Sequence, residues 1–396
     1  MDVTTPASEI DARIRKLQDH LKTADIDGVL ILQASDLFYL AGTIQQSNLY
    51  IPATGDPLLM VRKDYDRARN ESPIERAIPI QSPRQLPELL GQMGYRPPRR
   101  IGMELDVLPV NLYLSYRRIF PDSEILDISP AIRMLRAVKS DYEIRLIAEA
   151  ARFSDQVAAA VPEFLREGIT EIELAGLVEA RARKLGHQGI VRMRLWGSEM
   201  FYGHLMAGPS AAVPSFLASP TGGAAVNPAV AQGPSFRPIG RREPILLDYV
   251  FAHRGYLSDH TRIFAIGGLA PELLDAHQAM LDVQDLIKKA GRAGVITGDL
   301  YEQAVKRADE LGYAENFMGV GDRRIRFIGH GIGIELDEFP FLAQGQEMIL
   351  QEGMVIALEP KLIFPGIGVV GVENTHVVTE NGLRQFGRFE ERVTIV

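Results

Sequence analysis

Apolar positions along the 396-residue chain alternate between two rhythms. Ile10, Ile14, Leu17 and Leu21 recur at helical spacing, behind a cap signal of Ser8 with Asp11 three residues on. Short unbroken apolar runs follow at 28–32, 49–51 and 58–61, the last two bracketing a turn at 52–57. An amphipathic stretch covers 109–120. Strands alternating with helices over roughly the first 135 residues predict an α/β domain. It carries no motif with a chemical mechanism, which suits a structural or oligomerisation role. Near Val138 the pattern changes: Ser140 with Glu143 forms a capping-box signal for a helix through Ile144, Ile147, Ala148 and Ala151. The expected domains are therefore 1–138 and 139–396. Further helices are predicted from Thr170, over 271–290, and through Leu311 behind Thr297 as its cap, where Gly312 stops the last. A helix-helix-hairpin order occurs twice in the second domain, which points to an internal pseudo-repeat.

The first of those hairpins is Ile245–Ile266, two apolar runs joined by Ala252-His253-Arg254-Gly255. Folded about the midpoint of that turn, it sets Asp248 opposite Asp259, with Cβ atoms about 4.5–5.5 Å apart. Facing carboxylates repel, so a positive charge must occupy the gap. In the second hairpin, Glu359 and Glu373 are symmetric about Gly366. His330, in the run GHGIG, adds one imidazole. Any one of these alone reads as an ordinary solvated side chain, but two cross-strand carboxylate pairs in apolar strands do not. The donors suit paired Mn²⁺, Fe²⁺ or Co²⁺ better than a thiolate-type zinc site. Residues 207–242, rich in Gly, Pro, Ser and Ala, directly precede the first hairpin and are expected to wall or cover the site. Residues 366–371 fit G-x-G-x-x-G, but a strand-like run follows where a dinucleotide fingerprint needs a helix.

Composition narrows the picture little. A net charge of −8 argues against a nucleic-acid surface. The absence of cysteine excludes disulfides, thiolate ligands and cysteine nucleophiles. No apolar run approaches membrane-spanning length, and no secretory leader is visible, so a soluble cytoplasmic protein is expected.

An Asp, a second Asp eleven positions later in GYLSDHTR, then GHGIG, ALEP and GVEN resemble the pita-bread metallopeptidases. That family includes methionine aminopeptidase, aminopeptidase P, prolidase and the non-peptidase creatinase. The RAVKSDYEI boundary and the preceding domain look like its prolidase and creatinase branch. The resemblance implies a creatinase-like N-terminal α/β domain followed by an α+β pita-bread catalytic domain. It implies two divalent metal ions, Mn or Co before Fe or Zn. Asp248 would chelate the first, Asp259 and Glu373 would bridge, and His330 and Glu359 would bind the second. It further implies Xaa-Pro dipeptidase or aminopeptidase activity, with a metal-bridging hydroxide as nucleophile and Glu359 as general base, in a homodimer acting on peptides. The sequence departs from the peptidase pattern twice: Asp337 stands where a substrate-contacting His follows GHGIG, and Ala231 where a His precedes the first Asp. Asp337 and His204 are the candidates to replace them. Alternatives are a creatinase-like C–N hydrolase of a small amide or amidine, and a binding module without catalysis. The presence of all five ligand residues speaks against the last.

Overall fold

The computed structural model describes residues 4–200 and 202–396 and divides between Arg136 and Ala137 into two compact units. The first is built on a six-stranded mixed sheet of β1 (Gly28–Ile31), β2 (Ser47–Pro52), β3 (Leu58–Val61), β4 (Ala77–Pro79), β5 (Arg100–Met103) and β6 (Glu124–Asp127), in the order β4-β3-β2-β1-β5-β6. Leu30, Tyr50, Leu58, Met60, Ile101 and Met103 of its strands are buried in one core. The helix Ala7–Thr23 buries Ile10, Ile14, Leu17 and Leu21, as their spacing requires. It starts one residue before the expected cap: Pro6 holds the cap position and no side chain bonds there. Beneath the sheet, the buried Glu104 carboxylate accepts from the Leu32 and Gln33 amides, and Asp36 pairs with Arg136 at 2.7 Å.

The second unit opens on the capping box. Ser140 Oγ accepts from the Glu143 amide, and the Glu143 carboxylate accepts from the Ser140 amide, which starts the helix Asp141–Phe164. Thr170 caps the helix Glu171–Lys184 in the same way, by accepting from the Glu173 amide. Both helices bury apolar faces against a four-stranded sheet of β7 (Gly203–Ala207), β8 (Ile245–His253), β9 (Tyr256–Ala265) and, later in the chain, Thr394–Ile395. The helices Pro271–Ala290 and Thr297–Glu310 then precede a second sheet. It comprises β10 (Phe327–Gly331), β11 (Glu338–Ala343), β12 (Val355–Leu358), β15 (Asn374–Thr379) and β16 (Gly382–Gln385), in the order β11-β10-β12-β15-β16. A separate two-stranded hairpin of β13 (Lys361–Phe364) and β14 (Gly368–Gly371) lies between β12 and β15 in the chain. Ile296, not Thr297, holds the cap of the second of these helices, without a side-chain bond. The helix-helix-sheet order thus occurs twice, and the two sheets meet where Thr261 and Glu373 bridge antiparallel.

The first hairpin is offset by two residues from the expected register. Asp248 pairs with Thr261 and Val250 with Asp259. The turn is the two-residue Arg254-Gly255, with φ of 50° and 88°, flanked by the pair His253–Tyr256. Positive φ at both central positions matches the strand twist, and a hairpin closed this way needs no four-residue loop. An offset of two preserves the faces, because side chains alternate with period two. Asp248 and Asp259 therefore remain on one face, diagonal rather than opposite. That face is the site face, while Ile245, Leu247, Tyr249 and Phe251 enter the helix-covered core.

Candidate metal centre

Each carboxylate reaches the centre by strand geometry. Asp248 and Asp259 come from β8 and β9. Opposite Asp248 on β7 stands His204, on the same face. In the second hairpin, Leu358–Asn374 and Lys361–Gly371 are partners in two ladders, so Glu359 and Glu373 lie across from one another where β12 and β15 give way to β13 and β14. That symmetry about Gly366 matches the expected register. Arg262 ties the junction, donating from its buried guanidinium to the Thr261 and Glu373 carbonyls at 2.8 and 2.9 Å and to Asn374 Oδ1 at 2.8 Å. β10 supplies His330.

Around His330 the donors converge. Its Nε2 lies 4.0 Å from Asp259 Oδ2, 3.8 Å from Glu359 Oε1 and 4.0 Å from Glu373 Oε1. Asp259, His330 and Glu373 are all buried, and each offers an atom within 4.8 Å of those of the others. Asp259 Oδ1 and Glu373 Oε1 have no hydrogen-bond partner among the described residues. Ligand atoms about 2.0–2.2 Å from one ion stand about 3–4 Å from each other, so these residues fit a divalent cation. Burial, reinforced by Glu373 and Asp248, pushes the Asp259 carboxyl well above the carboxylate range. Burial likewise pushes Glu373 up to about 8 against the opposing pull of Lys361, with Glu359 and Asp248 adding to the rise. The centre needs more positive charge than the chain supplies.

Some is supplied, by a residue that the sequence reading passed over. Lys361 Nζ donates to Asp248 Oδ2 at 2.9 Å, Glu359 Oε2 at 2.8 Å and Glu373 Oε2 at 2.9 Å. Burial works to discharge the lysine, and the three carboxylates overcome it, holding the ammonium well above its ordinary pKa. Against its own burial, Asp248 is held below the usual range by the Lys361 ammonium. Gly371 makes room for this arrangement: at its φ of 156°, a Cβ would come 2.7 Å from Lys361 Cα. On the Asp248 side, then, the donors do not fit a metal ion alongside the lysine; on the His330 side they do.

The remaining candidates line the same cleft, together with Met193, Leu195 and Phe327. Asp337 Oδ1 lies 3.5 Å from His330 Nδ1, which also contacts the Gly331 carbonyl at 3.1 Å. His204 is buried and its Nε2 has no partner among the described residues. Burial holds its pKa below the ordinary value, so the ring is neutral. The buried His187 is spent on backbone: it contacts the Val250 carbonyl and accepts from the Gly189 amide. Ala231 is exposed. Leu217, Ala218, Ser219 and Gln232 show that the 207–242 segment walls the cleft. Its two ends are gathered by the buried Glu171 carboxylate, which accepts from the Ala207 and Ser235 amides and the Ser210 and Ser235 hydroxyls at 2.6–3.1 Å.

Residues 145–380 match the family model of Metallopeptidase family M24, and residues 13–138 that of the Creatinase/Prolidase N-terminal domain. The chain is 26% identical over 389 residues to a Xaa-Pro dipeptidase of Pyrococcus horikoshii, covering 97% of this chain and 99% of that relative. A Xaa-Pro dipeptidase from Bacillus anthracis superposes with a TM-score of 0.83 at 23% identity, over 98% of this chain and 100% of that one. The prolidase structure from Pyrococcus horikoshii gives 0.80 at 24%, over 96% and 99%. The likeness to these structures extends over both units and concerns the fold, the two-domain pita-bread arrangement.

Proposed function

The chain belongs to metallopeptidase family M24, and from that premise we propose that it hydrolyses Xaa-Pro bonds, as a dipeptidase or an aminopeptidase. The observation that carries this reading is the buried Asp259-His330-Glu373 group, with unpartnered carboxylate oxygens turned into a cleft. A divalent ion held there with Glu359 would polarise the scissile carbonyl and make water a competent nucleophile near neutral pH. The oxygen-rich donor set with one imidazole supports Mn²⁺ or Co²⁺ ahead of Fe²⁺ or Zn²⁺. Of the two ions expected from the family, the one on the His330 side is the one that meets carboxylate oxygens without a partner among the described residues.

The chain's own groups take the other parts. Glu359 is the general base, with Oε1 toward His330 and Oε2 anchored by Lys361, so its orientation is fixed before substrate arrives. His204, neutral and with Nε2 free, offers a hydrogen bond to the substrate beside Asp248. Asp337 orients His330 through Nδ1, as carboxylate partners of metal-binding imidazoles do. Xaa-Pro specificity and peptide substrates are supported by kinship with Xaa-Pro dipeptidases, and a cytoplasmic homodimer is part of the proposal. Among the described residues no helix is long and apolar enough to cross a membrane.

Asp337 in the place of the peptidases' histidine favours a second reading, a creatinase-like C–N hydrolase. A panel of Xaa-Pro dipeptides, Xaa-Pro-Yaa tripeptides and small amidines, offered to Mn²⁺- or Co²⁺-loaded protein, separates the two. Cleavage within the proline peptides is expected. Turnover of amidines alone would replace the peptidase reading with the second one.

A further inference from the structure

Glu359 and Glu373 each divide their two oxygens between two cation positions. Their Oε1 atoms face His330 Nε2, and their Oε2 atoms accept from Lys361 Nζ. A carboxylate that bridges two metal ions is used in the same way, one oxygen to each. Here one of the two bridged positions holds an ammonium. An ammonium has three donors, and Asp248, Glu359 and Glu373 take all three. Lys361 is 1% exposed, so its charge has no solvent to retreat into. A divalent ion placed on the same oxygens would stand against that charge in a water-poor site, where like-charge repulsion is strong.

The lysine already meets part of the site's charge: with one divalent ion it leaves a single residual negative charge on Asp248, Asp259, Glu359 and Glu373 together. The unpartnered oxygens, Asp259 Oδ1 and Glu373 Oε1, belong to the two residues that group with His330 around a possible ion.

We propose that Lys361 is a built-in cation that replaces one ion of the pair, so that the chain works with a single divalent metal held by Asp259, His330, Glu359 and Glu373. Asp248 then serves as counter-ion to the lysine and not as a metal ligand. The inference rests on the metal-dependent reading above and fixes its stoichiometry.

The test is metal counting on the full chain, saturated with Mn²⁺ alone and freed of excess, with the electron paramagnetic resonance of the same samples. The wild type is expected to hold one Mn²⁺ per chain and to show the spectrum of an isolated ion. In Lys361→Ala the count is expected to double and the spectrum to become that of an exchange-coupled pair. Because emptying a buried position can unfold a protein, Asp248→Asn provides a second route: it is expected to keep one ion, since Asp248 binds none. Two ions or none in the wild type, or loss of the ion from a folded Asp248→Asn protein, would overturn the assignment. One ion without cleavage of any Xaa-Pro peptide upholds it and removes the peptidase reading instead; cleavage by a two-ion wild type does the reverse.

Discussion

Asp337 sits at a φ of 62°, a region that Asn also tolerates, with its carboxylate 3.5 Å from His330 Nδ1. Asp337→Asn should therefore keep the backbone while removing the charge that orients the imidazole. Loss of such a partner costs about 10–100-fold in metal affinity or activity; titration with Mn²⁺ alongside turnover checks both, and an unchanged variant would strip Asp337 of its role. His204→Ala should raise KM more than it lowers kcat, since the role proposed for its ring is a hydrogen bond to substrate and not to the metal; steady-state kinetics on one dipeptide decides. The convergence of the candidate carboxylates was legible because strand geometry brings them together: Glu359 and Glu373 face each other as their symmetry requires, and Asp248 and Asp259, though diagonal, share one face. Lys361 follows Glu359 by two, and residues two apart on a strand share a face. That spacing could have revealed it. The demand for positive charge between the acidic pairs was sound, but part of it is met by this lysine, from within the chain.

At the scale of elements, the segment 207–242 depends on one buried side chain. Glu171 begins the helix Glu171–Lys184 and receives amides and hydroxyls from Ala207, Ser210 and Ser235. Removing a charged acceptor that satisfies several buried donors costs on the order of 3 kcal/mol or more. Glu171→Ala should loosen the segment, visible as faster amide exchange across 207–242, and should raise KM because Leu217 and Gln232 line the cleft. Exchange confined to its wild-type rate would show that the wall stands without this anchor. The composition of the segment announced a long loop, yet nothing in it pointed to a glutamate in the preceding helix. Such a contact is non-local and has no periodicity. The two-residue register offset of the first hairpin has a different cause: Arg254 adopts a positive φ that is uncommon for its residue type, so the tight turn was hidden behind an apparent four-residue one.

For the whole molecule, alternating rhythms read the first unit as α/β and the repeat of helices and hairpins read the second as α+β, because helix and strand periods differ and each must bury one face. The buried ionisable groups of the first unit were not legible, since burial is a property of the fold. Glu104 is one of them: burial, aided by Asp36, pushes its carboxyl up to about 8 from an ordinary value of 4.5. A folded-state pKa above the unfolded one contributes stability that is full below about 4.5 and lost as pH rises through about 8. Amide exchange in the first unit should therefore quicken between pH 5 and 8 beyond its intrinsic pH dependence, on the order of a few kcal/mol in protection, and Glu104→Gln should flatten that trend. Equal slopes in the two proteins would contradict it.

In the proposed function, hydrolysis depends on a metal held by Asp259, His330 and Glu373. The most direct measurement is the initial rate on an Ala-Pro dipeptide before chelation, after it, and after return of Mn²⁺ or Co²⁺. Activity that vanishes with the metal and returns with it is the predicted result, and His330→Ala should not regain it. Equal rates with and without metal, or no cleavage in any of these states, would contradict the account.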